Sequence, residues 1–256
     1  MQTEPTTIAS VAALIAETLE RHYGVDPNPL FRQVGLDPEI MKNAQARYDR
    51  AKLMELWEVA AKATGDPCIG VVVGINIRAT SYHALGYSWL ASRTLLEALE
   101  RLRRYHEVIS TVPMEIDIRQ LDEKYMLEFV YPDPDYPAPP IALDSFLASI
   151  VQLCRSASSD AFRPIEIWLA HDDRGCAETY RAYFDAPVRF DAPANALYFD
   201  KATLDAPLPG NNLVLAQAND RVADRYLETL EPHRVASDVR RLLIELFPTG
   251  AVTQSK

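Results

Sequence analysis

Thr94 to Tyr131 read TLLEALERLRRYHEVISTVPMEIDIRQLDEKYMLEFVY, and inside this stretch the hydrophobic period changes from that of a helix to that of a strand. Thr94 stands three residues before Glu97, the pattern of a capping box. Leu95, Leu99, Leu102, His106 and Ile109 then form an apolar stripe, which predicts a helix over Leu95 to Ile109, about 22 Å long at 1.5 Å per residue. A histidine occupies a position that this stripe reserves for the core. After Pro113 the period is two: Met114, Ile116 and Ile118 alternate with Glu115, Asp117 and Arg119, and Tyr125, Leu127, Phe129 and Tyr131 alternate with Met126, Glu128 and Val130. With the polar connection Gln120 to Lys124, this predicts a β-hairpin. Prolines at 132, 134, 137, 139 and 140 follow, too many for a helix or a central strand, and make a stiff connection.

On the N-terminal side the readings are helical. Ile8, Val11, Ala12, Ile15 and Leu19 predict a helix over 8–23 that Gly24 ends. Asn28 before Pro29 reads as a cap for a short helix reaching Val34, and Asp37 before Pro38 as a second cap. Leu53, Leu56, Trp57, Ala60, Ala61 and Thr64 give the clearest amphipathic helix, from Arg50 to Thr64. Gly65, Asp66 and Pro67 end it and open a short helix near Ile69 to Gly74. On the C-terminal side Phe146, Leu147, Ile150, Val151 and Cys154 predict a buried helix, Ile165, Ile167 and Leu169 a strand, and Ala177 to Phe184 a helix. Short strands follow at Val188 to Phe190 and Ala196 to Phe199, then a long polar helix from Leu213 to Leu230 and a last amphipathic one over Ser237 to Phe247. The fold class is α+β: a helical N-terminal part, a mainly antiparallel sheet packed on helices, and a helical C-terminal end.

At 256 residues, with 48% hydrophobic and 24% charged, the chain buries a sizeable core without staples, and disordered or collagen-like readings drop out. No apolar run approaches the roughly 20 residues that span a bilayer, and Met1 to Ser10 lacks the basic start of a secretion signal. The expected location is the cytoplasm, with no membrane partner. Cys68, Cys154 and Cys176 are odd in number and fit no zinc spacing, which predicts reduced thiols and no structural metal. The net charge of −10 argues against nucleic-acid binding by this chain, because phosphate contacts draw on Lys and Arg. Arg101, Arg103 and Arg104 alternate with Glu97, Glu100 and Glu107 and read as a solvated, charge-paired helix face.

No P-loop, G-x-G-x-x-G or G-x-S-x-G pattern is present, so the expectation is no cofactor and no covalent hydrolase chemistry. His171, Asp172 and Asp173 are compact, but alternate residues at a strand end point to opposite sides, so a polar loop is expected there rather than a metal site. The remaining chemistry is aromatic walls with a few polar groups, which suits a small-molecule pocket as well as a plain core. Tyr82, His83, Trp89, Tyr105, His106 and Trp168 are the candidate ligand-binding residues on chemistry and position. The competing readings are that Trp57 and Trp89 fill space, that His83 lies on an exposed loop, and that His106 is satisfied inside the core by a backbone carbonyl or Glu128.

Three segments carry a family resemblance: LMELWEVAAKATGDPCIG from Leu53 to Gly70, YHALGYSWLASRTLLEALERLRRYH from Tyr82 to His106, and YRAYFDAPVRFDAPANALYFDKATLDAPLP from Tyr180 to Pro209. Their order and spacing, with the Pro187-Val188, Asn195-Ala196-Leu197 and Pro207-Leu208-Pro209 signatures, resemble the N-terminal effector domain, often labelled arabinose-binding-like, of AraC/XylS-type transcription regulators. The resemblance covers roughly residues 20 to 250 and supplies no residue-level binding motif. It implies one effector-binding and dimerisation domain over 1–250, with a helical part to about 112, an α/β part over 113–205 and C-terminal helices over 212–247. Residues 248–256 would start the linker to two helix-turn-helix motifs that lie beyond this chain. The implied partners are a small-molecule effector, a second copy of the chain, and DNA only through the missing C-terminal domain. The implied function is ligand sensing, not catalysis. The alternative is a stand-alone binder of a lipid or another hydrophobic metabolite.

Overall fold

The computed structural model describes residues 4–246 except 44 and 138, with side chains described as far as residue 230. The expected linker at 248–256 lies outside the described residues. The chain opens with β1 (Thr6–Ile8), α1 (Ala9–Tyr23), α2 (Pro27–Gln33), β2 (Arg47–Asp49), α3 (Arg50–Thr64), α4 (Ile69–Ile75), α5 (His83–Leu90) and α6 (Leu95–Tyr105), joined in part by 3-10 turns at Pro38–Lys42, Ala79–Tyr82 and His106–Val108. The second half holds β3 (Glu115–Leu121), β4 (Lys124–Val130), α7 (Pro140–Ala157), β5 (Glu166–Trp168), α8 (Ala177–Phe184), β6 (Val188–Arg189), β7 (Asn195–Asp200), α9 (Lys201–Asp205) and α10 (Leu213–Leu246). Five strands form one sheet in the order β3-β4-β7-β5-β6, antiparallel except for β5 with β6. The α+β expectation holds in this form.

The hairpin pairs Glu115 with Val130 through Leu121 with Lys124. Its alternation decides which side faces the core: Tyr125, Leu127 and Phe129 of β4 join Leu197 and Phe199 of β7 inside, whereas Met126, Ala196, Tyr198 and Trp168 form a small cluster on the other face. Helix α7 is buried around most of its circumference because it lies between this sheet and the N-terminal helices. Phe146 meets Phe129 edge to face at 5.5 Å, and α3, α4 and α5 pack on α7 from the helical side. Gly70 and Gly74 make the α4 approach possible. A Cβ at Gly70 would lie 2.1 Å from the Ile141 carbonyl oxygen, and one at Gly74 would lie 2.4 Å from that of Ser145. Only glycine fits a backbone contact this close.

Five local expectations are corrected. The cap of α2 is Asp26, which accepts from the Asn28 N–H and places Pro27, not Pro29, at the first helical position. Helix α6 stops at Tyr105, and His106 begins a 3-10 turn with its Nδ1 3.1 Å from the Arg103 carbonyl, so Tyr105 takes the buried position. The capping box is half formed: Thr94 accepts from the Glu97 N–H, but the Glu97 carboxylate accepts from the Arg93 N–H. Arg101 is buried rather than solvated; it bonds Ser92 and pairs with Glu97 and with Asp220 of α10. The two expected C-terminal helices are one, running through Pro232.

The thiol expectation is also corrected. Cys68 and Cys176 form a disulfide across 108 residues, with Cα atoms 5.5 Å apart, while Cys154 is buried and free. Spacing cannot show this pair, because each cysteine caps a different helix, α4 and α8, and only the fold brings those N-termini together. Beside it lies a buried polar knot. The Asp144 carboxylate of α7 accepts from His171 Nε2 at 2.9 Å, from the Arg174 guanidinium and from the Tyr180 hydroxyl. Asp144 is fully buried, so its charge must be matched locally. Burial works against a charged His171 ring, but the hydrogen bond and charge of Asp144 outweigh it and raise the imidazole above its ordinary value.

Two outcomes follow for stability. Replacing Asp144 by Asn removes one partner of a buried ion pair and is expected to cost about 3–5 kcal/mol in urea unfolding. The folded His171 value is raised, so its contribution is fully present below the unfolded value of 6.5 and is lost as pH rises through the folded value. The unfolding free energy of the parent chain should therefore fall on passing upward through that window, and D144N should flatten this slope. Separately, Cys68→Ser or treatment with a reductant should lower stability by about 2–4 kcal/mol, with no additive effect of the two.

Candidate functional site

A cavity lies where the two halves of the fold meet. It is partly open to solvent, and the space within it that the centre of a water-sized molecule can reach is about 90 Å³, a narrow cleft. Its walls come from Thr7 of β1, Val11 of α1, Arg50, Leu53, Met54 and Trp57 of α3, Tyr82 before α5, the 106–114 segment, Tyr131 after β4, and Ala142, Ser145 and Phe146 of α7. The amphipathic period of α3 explains one wall: Leu53 and Trp57 sit one turn apart on its buried face. The proline-rich connection explains another, since it carries the chain from Tyr131 over the mouth to the first turn of α7, where Pro139 also lines the cavity.

Among the described residues the lining is apolar with a few polar groups, none of them acidic. Arg50, the first residue of α3, is only 8% exposed. It donates to the Pro137 carbonyl at 3.1 Å and stacks its guanidinium over Tyr136 at 5.8 Å. No carboxylate stands within ion-pair distance of it among the described residues, since its neighbour Asp49 is turned to cap α3 at the Lys52 N–H. Burial lowers the Arg50 pKa, against the pull of Tyr131 and Tyr136. Burial likewise pushes the Tyr131 and Tyr82 hydroxyls up to about 12, with Arg50 and Ser149 respectively acting in the opposite sense, so both phenols remain donors near neutral pH.

Of the six residues expected at the site, two meet in this cavity: Tyr82 and His106. His83 is half-buried at the next position and faces away, with its ring 6.4 Å from that of Tyr226 on α10. Tyr105 donates to Asp224 of α10. Trp89 is in the core of the helical part, and Trp168 lies on the far face of the sheet under Arg189. Trp57, read as a space-filling residue, lines the cavity. Arg50 and Tyr131 were missed. A signal for Arg50 existed: a cation at the first position of a helix opposes the helix dipole, and such a residue needs a reason to be there.

The cavity wall is tied to α10 by two groups. Arg47 of β2 donates to the carbonyls of Glu107, Val108 and Ile109, which form the wall segment, and to the Tyr226 hydroxyl at 3.0 Å. His83 follows Tyr82 directly and has φ of 51°, a left-handed backbone that a residue with a Cβ adopts only under constraint. Burial lowers the His83 pKa, and Arg47 adds to the effect, which keeps the ring neutral where it meets Tyr226. Arg101 with Asp220 and Arg104 with Asp224 hold the same helix to α6.

Residues 24–208 match the family described as the arabinose-binding domain of AraC transcription regulator, N-term. The ornithine utilization regulator of Pseudomonas aeruginosa is 23% identical over 227 residues, which is 88% of this chain and 67% of that protein. The crystal structure of the transcriptional regulator CdpR from Pseudomonas aeruginosa superimposes with a TM-score of 0.56 at 18% identity, covering 84% of this chain and 69% of that one, and shows a shared fold. A likeness to a structure concerned with haem redox potential and porphyrin distortion reaches a TM-score of only 0.41, at 16% identity over 59% of this chain and 85% of that one, and carries no argument. The match over 24–208 takes in every wall of the cavity except Thr7 and Val11, and the chain belongs to the N-terminal, arabinose-binding-type domains of AraC transcription regulators.

Proposed function

We propose that the cavity takes up a small-molecule effector and that its occupancy is passed to α10. The observation that carries this reading is the shared use of one wall: Arg47 bonds the 107–109 backbone and Tyr226 at once, and Tyr82 and His83, adjacent in sequence, face the cavity and α10 respectively. A ligand that prefers one position of this wall shifts the population of α10 positions, which is all that coupling requires. Contact with DNA falls to a helix-turn-helix domain of the parent regulator in the cytoplasm, not to this acidic chain. Helix α10 also leaves Leu213, Val214, Leu215 and Val222 exposed, and these form the surface on which a second copy would dock.

The effector is not read from the name of the ornithine regulator. Ornithine carries two ammonium groups, and the cavity lining has no Asp or Glu to meet them. Filling the cavity is the direct test. In the parent regulator, Ala142→Phe should abolish the response to effector or hold it constant, with the fold intact by circular dichroism. Tyr226→Phe should keep small-molecule binding, read by native mass spectrometry of protein purified from its own host, while weakening the transcriptional response. A normal response from both variants would sink the reading. For the second-copy surface, Val214→Asp with Val222→Asp should shift the sedimentation coefficient of a dimer to that of a monomer.

A further inference from the structure

We propose that the ligand of this cavity is an organic monoanion: a carboxylate on an apolar body, its head on Arg50 and Tyr131 and its body along Leu53, Trp57 and Phe146. The inference rests on the cavity being the effector site and adds the chemical class of the effector.

Three observations converge on a negative charge. Arg50 is more than nine-tenths buried and lines the cavity, yet among the described residues the one hydrogen-bond acceptor of its side chain is a neutral carbonyl. A guanidinium has five N–H donors in a rigid fork that matches a carboxylate, and its burial is costly without a counter-charge. Position is the second: Arg50 is the first residue of α3, at the positive end of the helix dipole, where the Asp49 carboxylate already caps the Lys52 N–H. The phenol of Tyr131 is the third. It lines the same cavity as Arg50, and with its proton retained it is a neutral donor to an anion.

The rest of the lining restricts the class. A cation meets no acidic partner, and a zwitterionic amino acid would bury its ammonium unpaired. A sugar would leave its hydroxyls against Leu53, Trp57 and Phe146 with few acceptors. A phosphate monoester carries close to two charges, and among the described residues Arg50 is the one Lys or Arg side chain on the lining. A single charge on an apolar body fits each wall. Planar, bidentate pairing of guanidinium with carboxylate makes the carboxylate the best head group.

The test compares acids with neutral isosteres on the whole chain. The probes are decanoate and 2-naphthoate against decanol and 2-naphthalenemethanol, with phenyl phosphate as the dianionic control; binding is read by thermal shift and tryptophan fluorescence. The expected result is that at least one acid binds at least about tenfold more tightly than its alcohol and more tightly than phenyl phosphate. Arg50→Met, which keeps the apolar stem, should remove this preference by weakening the acid and leaving the alcohol unchanged. Arg50→Lys keeps the charge without the fork and should retain a reduced preference, which serves where R50M does not fold. Equal binding of acid and alcohol by the parent chain, with both lost in A142F, would leave the cavity as the site and overturn the anion. Absence of binding by every acid at about 1 mM, or acid preference that survives R50M, would also overturn it. Failure of the cavity reading itself appears differently, as acid binding that A142F leaves intact.

Discussion

The backbone contact between α4 and α7 is the constraint on which the other packing depends. Gly70 and Gly74 lie one turn apart on α4, and each opens onto a carbonyl of α7 at a distance that no side chain allows. With α4 this close, the first two turns of α7 are held in place, and those turns present Ala142, Ser145 and Phe146 to the cavity and Asp144 to the opposite side. The same contact sets where the sheet lies, because Phe146 reaches Phe129 of β4 from that position. A bulkier residue at either glycine would therefore act on the cavity as well as on stability, by moving the helix that forms its floor.

The second half of the molecule is fastened to this axis by chemistry rather than by close packing alone. The disulfide joins the N-terminus of α4 to that of α8, and the Asp144 knot joins α7 to the loop just before α8. Both act at the edge of the fold away from α10. Arg101, Arg104, Tyr105 and Arg47 fasten α10 instead, and all of these contacts are polar or ionic. Beside them Ala216 and Ala223 of α10 are buried, and Tyr226 and Leu227 pack against the core, so α10 is held by apolar packing as well as by ion pairs.

Much of the fold was legible because periodicity reports which face an element buries. The alternation from Tyr125 to Phe129 names the inner face of β4, and the stripe of Leu53, Leu56, Trp57 and Ala60 names that of α3. What periodicity does not report is contact between elements distant in sequence. The short β1–β2 pair, the Cys68–Cys176 bond and the single helix at 213–246 all depend on such contacts or on a helix continuing through a proline. His106 shows the same limit locally. The stripe assigns it a core position four residues after Leu102, but Tyr105, three residues after Leu102 and the last residue of α6, takes the buried face, and His106 begins a 3-10 turn. For the site, aromatic inventory found Tyr82 and His106 but also collected Trp168 and Trp89, because composition cannot tell one face of a sheet or helix from another. Arg50 escaped because a charged residue at a helix start is ordinarily read as solvated.

Arg50 and Arg47 are three residues apart and do different work with the same group. Arg47 spends its guanidinium on backbone carbonyls, on Thr6 and on Tyr226, so it is satisfied within the fold and its role is to connect. Among the described residues Arg50 has one carbonyl and a stacked ring, which leaves donors for the anion proposed above. The link between them is short: both follow β1–β2 pairing, with the Arg50 N–H bonded to the Pro5 carbonyl and Arg47 paired to Ile8. The first turn of α3, which carries Arg50, is continuous with β2, the strand whose Arg47 holds Tyr226. The coupling proposed above then needs no long chain of side chains, only two adjoining elements, α3 on the cavity and β2 on α10.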